Sequence, residues 1–559
     1  MTKIGPALLF LSMLLAVIGC GTRPAVPNRL EPIPYSDTLP SDLPAARSPD
    51  EIERLLDASL SGQIGHGLSI RRLLGAQHEA LNVTRFDDVV NSAWFEHRNG
   101  RRRMSLEEVA RGATTQGPDT GNTLTVIGGK SGGISPGFTV RDARGDTFLF
   151  KFDPKGNLQL ASAAGVISSR LFWGAGYHTP EDCIVVFDAA RLELDEGAMI
   201  ETAFDERLMT KDDIYQVLDE TDALPDGRYL ALASKYVPGR PLGPFLFSGV
   251  REDDPNDWYA HEFRRELRGL YVISSWLNHV DMRYANTMDV FIDPPGYVRH
   301  YLIDFAATLG SGTIRSHQPR EGSEYNFDIW ATLGRVVTFG FLQVGWEGQT
   351  HEELHPTIGW IPLETFDPGS WKPNWPNEAF NKRTPRDGYW GAKLVGSFDD
   401  EQIAAAVGAG RLPEEAAEAL TEILIRRRDM VASHWYALVT PIENVETTLN
   451  LEADPARLEL SFDDLGLNSG VWDSEETRYF WRFDDPATGT RGGGDRAADP
   501  GDRQAISLEL RRLPGDAPSA EQDFAILHLV ASREGVTNRA ATVYLRWDGR
   551  GYRVVGLEH

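Results

Sequence analysis

Cysteine is nearly absent from this chain. Its 559 residues hold two, Cys20 and Cys183, too few for a disulfide-framework fold. Positive charge is also short: 56 Lys and Arg stand against 82 Asp and Glu, a formal net charge of −26. This acidic balance counts against broad nucleic-acid binding, because a phosphate backbone needs a basic face. It also discourages broad electrostatic docking on anionic lipid. No internal repeat of solenoid length occurs. What is present is ordinary globular material, 41% hydrophobic and 25% charged, which excludes a mostly disordered chain. The length implies more than one domain.

The apolar run that opens the chain, Ala7 to Ile18 with Ser12 inside it, is shorter than the roughly 20 residues of a membrane span. With Lys3 ahead of it, the run has signal-peptide proportions. Val17-Ile18-Gly19-Cys20 resembles the lipobox of bacterial lipoproteins, with Val17 where Leu is commoner. The resemblance implies a signal peptide over residues 1–19 and a lipidated, palmitate-bearing Cys20 as the lipid-bilayer anchor. Gly21 in place of Asp implies the outer membrane of the cell envelope, facing the periplasm or the surface. The plainer alternative is a cleaved signal with a chance cysteine. Residues 21–50 carry seven prolines and no periodic apolar face, the composition of a semi-extended tether over 20–50. Cys183 falls in Glu181-Asp182-Cys183-Ile184-Val185-Val186-Phe187, a strand entering a core, where a structural thiol is expected.

Pro49-Asp50 caps a short amphipathic helix over 51–60, and residues 61–120 read as a mixed extension. In that extension Arg98, Arg101, Arg102 and Arg103 form a basic cluster that either contacts phosphate or pairs with Glu107 and Glu108. Strands are expected at 124–127, 138–141 and 147–152, with a hairpin turn at Asp142 to Asp146. A helix is expected at 160–175, ending at Gly176, followed by strands at 183–187 and 230–236. Helical spacing then covers 258–278, 326–341, 399–407 and 413–438. After Pro441 the pattern alternates with period two, implying a small all-β, sandwich-like domain over 441–559 with a flexible loop at 491–501.

Three separated elements fit one chemistry. Gly128-Gly129-Lys130-Ser131-Gly132-Gly133 lies between two strands; glycines let backbone N–H groups approach phosphate oxygens, although a flexible hairpin loop has the same composition. It is not a Walker loop, because position 124 is Leu and no helix follows. Lys151 sits alone in Phe148-Leu149-Phe150-Lys151-Phe152, where burial demands a partner such as a phosphate or the strand shows its wet face. The third element is His279-Val280-Asp281-Met282-Arg283-Tyr284-Ala285-Asn286 with Ile303-Asp304-Phe305-Ala306.

Here the chain resembles the catalytic core of the protein-kinase-like superfamily, nearest its HipA-type and phosphoinositide-kinase-like branches. His279-x-Asp281-x4-Asn286 is similar to the catalytic loop, and Asp304-Phe305-Ala306 to the metal-binding element with Ala for Gly. The resemblance covers residues 121–440, with an N-lobe over 121–240 and a C-lobe over 241–440. It implies an α+β fold, a two-lobed kinase-like domain ahead of the β domain. It implies Mg2+ and ATP, or another nucleotide, as cofactors and a hydroxyl on a protein or small molecule as acceptor. Catalytic roles fall to Asp281 and Lys151, nucleotide binding to Gly128, Gly129, Lys130, Gly132, Gly133 and Lys151, and metal ligation to Asn286 and Asp304. Leu232 to Gly239 is similar to the strand and hinge beside an adenine pocket.

One piece of that pattern is missing. The superfamily pairs its strand lysine with a glutamate from the next helix, yet residues 156–180 contain no Asp or Glu, and Gly165 holds the middle of the helix. Glu193 or Glu201 is left to supply the pair, or the domain is a catalytically weak binding or scaffold module with an envelope partner. A competing zinc-peptidase motif, His351-Glu352-Glu353-Leu354-His355, needs a continuous helix, and Pro356 with Gly348 and Gly359 argues against one.

Overall fold

The computed structural model describes residues 36–48, 63, 78–130, 135–201, 206–341, 345–351, 354–501, 503–510, 512–515, 524–533, 536 and 538–559. The lipobox with Cys20, the expected helix over 51–60, Gly132 and Gly133 lie outside them. The architecture is α+β, with several sheets. Among the described residues no helix is long and apolar enough to cross a membrane.

A short helix α1 (Leu106–Arg111) with a Ser105–Glu108 capping box precedes the first sheet. The sheet strands are β1 (Leu124–Gly129), β2 (Gly137–Arg141), β3 (Thr147–Lys151), β4 (Asp182–Phe187), β5 (Leu192–Glu201), β6 (Glu206–Leu208) and β7 (Tyr229–Lys235). Helix α2 (Leu160–Ala175) follows β3, and α3 (Lys211–Asp219) follows β6. The strand order is β4-β7-β3-β2-β1-β5-β6, antiparallel except for β1 with β5. The β2–β3 turn forms as expected. Asp142 Oδ1 accepts the N–H groups of Arg144 and Asp146, each at 3.0 Å, and Gly145 takes φ 90°.

Helix α2 is buried almost all round, because it lies between the sheet and a second, helix-rich body. Small residues permit this: a Cβ on Gly174 would come 2.9 Å from the Phe398 ring. The second body begins with β8 (Arg240–Gly243) and α4 (Arg265–Trp276). It continues with β9 (Thr287–Ile292), β10 (Tyr297–Leu302), α5 (Ile329–Val337), α6 (Pro385–Gly396), α7 (Asp400–Gly408) and α8 (Glu414–Tyr436). The antiparallel β9–β10 hairpin, joined by β8, was not anticipated. Helix α4 is shorter than the expected 258–278, since Asp257 is drawn into a buried network with His261 and Arg264. Helix α5 is likewise shorter than 326–341; Asp328 caps it by accepting the Ala331 N–H.

The end of the expected tether is not loose. Residues 36–48 pack on this body: Ser41 N–H donates to Gly296 O at 2.7 Å, Arg47 N–H to Leu242 O at 2.7 Å, and Ala45 N–H to Asp253 Oδ2 at 2.8 Å. The basic cluster resolves into ion pairs, Arg102 with Glu108 at 2.6 Å and Arg103 with Asp399 at 2.6 Å.

The last part of the chain holds two antiparallel sheets. One is β11 (Ile442–Asn450), β12 (Ala456–Asp464) and β15 (Arg503–Leu510). The other orders β14 (Thr490–Ala497), β13 (Arg478–Asp485), β16 (Ala525–Ser532), β17 (Ala541–Trp547) and β18 (Tyr552–Glu558). Alternate residues such as Leu458, Leu460, Ile506, Leu527 and Val543 share one core. A one-turn helix, Leu465–Asn468, follows β12.

Candidate functional site

The site is assembled where β3, α2 and β10 converge. Lys151 ends β3, and its Nζ lies 3.0 Å from Asp304 Oδ1. Asp304 follows β10 in a left-handed conformation, φ 59°, which an Asp tolerates better than a bulky residue. It stays open to solvent in the cleft. Desolvation there opposes its charge, but Lys151, Lys130 and the Ala306 N–H outweigh it and hold the carboxyl below its ordinary range. Phe305 behind it is buried, stacked on Phe172 of α2 with ring centres 5.0 Å apart. His279 packs 5.9 Å from the same Phe305 ring, and burial pulls its imidazole down to about 4, so it stays neutral at physiological pH.

Asp281 and Asn286 meet as the sequence spacing implies. Asn286 Nδ2 donates to Asp281 Oδ2 at 2.9 Å and to its carbonyl at 2.7 Å. Arg283 Nε lies 3.0 Å from Asp281 Oδ1. Desolvation raises the Asp281 carboxyl despite Arg283 and Asn286, and Asp304 adds to the rise. The Ile303 N–H donates to Asn286 O at 3.0 Å, tying this loop to the segment that carries Asp304. With Nδ2 on Asp281, the Asn286 amide oxygen is the atom left to ligate a cation.

The glycine segment behaves differently from expectation at its start. Gly128 and Gly129 belong to β1, not to a loop. A Cβ on Gly129 would sit 2.7 Å from Ile200 Cγ1, so this glycine serves close packing of β5. Strand β1 ends at Gly129 and β2 begins at Gly137. Lys130 Nζ donates to Ser135 O at 2.8 Å and Ser135 Oγ at 2.9 Å. Desolvation first, and then the charge of Lys151, pull its ammonium down to about 8.

Helix α2 reaches the site through Ala161 and Ser162, and its first turn is held by Asp153, which sequence reasoning did not single out. Its carboxylate accepts the N–H groups of Gln159 (3.0 Å), Ala161 (2.8 Å) and Ser162 (2.8 Å) and the Ser162 hydroxyl (2.5 Å). Gly165 lies in the middle of α2, where a Cβ would be 2.6 Å from Leu232 Cδ1 and 3.8 Å from Ala306 N. No side chain fits there without moving the wall of the site. Glu193 and Glu201 do not replace the missing glutamate. Both are exposed on β5, which β1 and β2 separate from β3.

A second residue was overlooked. Asp182 opens β4 and lines one cavity with Lys151, Ser162, Ser234 and Asp304. Burial pushes its carboxyl up to about 6, against a hydrogen bond from Ser234 and the charges of Lys151 and Arg170. A charged residue heading an otherwise apolar strand was the available signal. Next to it, burial pushes the Cys183 thiol up to about 11, the property of a structural cysteine.

No protein-family model and no curated protein matches the chain. Among solved structures, the crystal structure of the Golgi casein kinase aligns over 72% of this chain and 95% of its own, at 10% identity and a TM-score of 0.30. An alignment that loose says nothing of this chain's chemistry.

Among the described residues no three His, Cys, Asp or Glu side chains cluster as metal ligands. Magnesium does not require such a cage: it takes one or two carboxylates, keeps several waters and completes its shell with substrate phosphates. Asp304 and the Asn286 amide oxygen fit that demand. The zinc-peptidase motif does not. His351 Nε2 lies 2.8 Å from His317 O and His355 Nδ1 lies 2.8 Å from Thr357 Oγ1, and neither histidine is in a helix.

Proposed function

We propose that the chain is a kinase-like protein that binds a nucleotide and magnesium and transfers a phosphoryl group to a hydroxyl acceptor. The observation that carries this reading is the Lys151–Asp304 ion pair, 3.0 Å across, beside the Asp281–Asn286 pair. It supports a site in which cations and a metal-ligating carboxylate converge on phosphate oxygens. Phosphoryl transfer is catalysed chiefly by positioning and charge neutralisation. Lys151 and Lys130 supply positive charge, Asp281 orients the acceptor hydroxyl and takes its proton, and Arg283 and Asn286 hold Asp281 in place. Bound Mg2+, held by Asp304 and Asn286, would neutralise charge on the phosphates.

The second reading, a catalytically weak binding or scaffold module, is favoured by the lack of any Asp or Glu on α2, where Gly165 packs against Leu232. The location proposed is the bacterial cell envelope, with lipidated Cys20 as anchor. Calorimetry on the full chain separates these ideas. Binding of Mg2+–ATP with a higher melting temperature, lost in Asp304→Ala, is expected. Absence of both heat and melting shift would end the phosphotransfer reading for ATP. Binding without turnover on any hydroxyl acceptor would favour the scaffold.

A further inference from the structure

Asp182 occupies an unusual position for a carboxylate. It is 4% exposed, and its Oδ1 is buried with no hydrogen-bond partner among the described residues. An unpaired buried carboxylate oxygen is costly, so a cationic donor within reach has a strong reason to visit it. Two cations face it, Lys151 and Arg170. Arg170 is fixed in place by Nη2 on the Asp182 carbonyl at 2.6 Å and Nε on Ala110 O at 2.8 Å, with its Nη1 buried and without a hydrogen-bond partner among the described residues. Lys151 carries three N–H donors, and its ion pair is with Asp304.

The sheet holds the two residues in a fixed relation. Asp182 pairs with Ser234 and Lys151 with Leu232. Both therefore flank β7 at positions two residues apart, on one face of the sheet. The helix offers no alternative, because residues 160–175 contain no Asp or Glu and Gly165 packs against Leu232.

We propose that Asp182 is a second anchoring carboxylate for Lys151. The lysine pairs with Asp304 in the resting site and passes to Asp182 when Asp304 is drawn to a cation. Asp182 is thus a positioning residue, supplied by a strand where a helix glutamate is absent, and it keeps Lys151 aimed into the cleft in both states. Its purpose rests on the phosphotransfer reading; its test does not.

The test is the acylation rate of Lys151 on the full chain, without nucleotide, read by peptide mass spectrometry. Wild type, Asp304→Asn, Asp182→Asn and the double variant are compared, with circular dichroism on each. Each single substitution should raise labelling only slightly, since the other carboxylate takes over. The double should exceed the product of the singles by about tenfold, a coupling typical of groups sharing a partner. Multiplicative single effects, with no excess in the double, overturn the proposal. Should the double variant not fold, Asp304→Asn alone decides. Lys151 must then stay about tenfold slower than the exposed Lys155 and Lys211, and equal rates overturn the proposal. A chain that shows the coupling yet binds no Mg2+–ATP would retain the exchange and lose the phosphotransfer reading.

Discussion

Gly165 and Asp182 are two halves of one local solution. The glycine brings α2 against Leu232 and the backbone after Asp304, and the negative charge that the helix does not carry stands instead at the head of β4. Gly165→Ala should therefore destabilise by about 1–3 kcal/mol through overpacking, read as a lower urea midpoint. Asp182→Asn should do the opposite at neutral pH. The unfolded Asp182 carboxyl ionises near 3.8 and the folded one near 6. Between those values the native chain holds the extra proton, so this group's stabilisation falls as pH rises. Asn removes that penalty, giving a gain of up to about 3 kcal/mol at pH 7 and none at pH 4. Melting curves at both pH values check it; a variant less stable than wild type at pH 7 would show that the charged form is the one the fold needs. Lys151, Asp281, Asn286 and Asp304 were legible in the sequence because each lies in a short local pattern. Asp182 was not, because only the pairing of β4 with β7 brings it to Lys151.

At the scale of elements, local signals succeeded where side chains satisfy their own backbone. The turn after β2 and the end of α2 at Gly176, φ 128°, follow from sequence alone. The stretch 491–501 failed as an expectation. Its glycines read as a loop, yet β14 spans Thr490–Ala497 and pairs with β13. The reason is Trp481, whose ring lies across the strand; a Cβ on Gly494 would be 2.7 Å from Trp481 Cζ2. A large aromatic covers Gly494 and replaces the side-chain packing that residue lacks. Asp153 is the reverse case, a single side chain that starts an element. It caps α2 and also joins that helix to the end of β3. Asp153→Ala leaves three N–H groups and a hydroxyl without their acceptor, and a lost cap costs about 0.5–2 kcal/mol. The expected result is destabilisation of about 2 kcal/mol with faster hydrogen exchange at Ala161 and Ser162. Unchanged exchange at those amides would mean that the helix start is held by packing alone.

On the scale of the whole molecule, the helix-rich body and the β body are joined by buried charge as well as by apolar contact. Asp87, 3% exposed, accepts Arg265 Nη2 at 2.9 Å and Arg386 Nη2 at 2.7 Å. Arg386 also reaches Glu558 beyond the core of the β body, at 2.5 Å. His559 adds its backbone N–H and ring to Asp87, at 3.3 and 3.2 Å, and Tyr389 of α6 donates to Glu443 of β11 at 2.9 Å. Burial alone would raise the Asp87 carboxyl, but the two arginines and His559 hold it well below its ordinary range. Its contribution to stability is therefore present above the unfolded value of 3.8 and lost as pH falls below it. Removing one member of a buried ion cluster costs about 3–5 kcal/mol, because the remaining charges stay desolvated. Arg265 keeps Asp387 at 2.7 Å, which places Asp87→Ala toward the lower end of that range. Arg386 loses the anchor that orients it toward Glu558, so the same substitution should loosen the two bodies from each other. Urea unfolding followed by both far-ultraviolet dichroism and tryptophan fluorescence should change from coincident curves to separated ones, with the β body and the helical body melting at different concentrations. Curves that stay coincident at a lowered midpoint would assign Asp87 to the stability of the helical body alone.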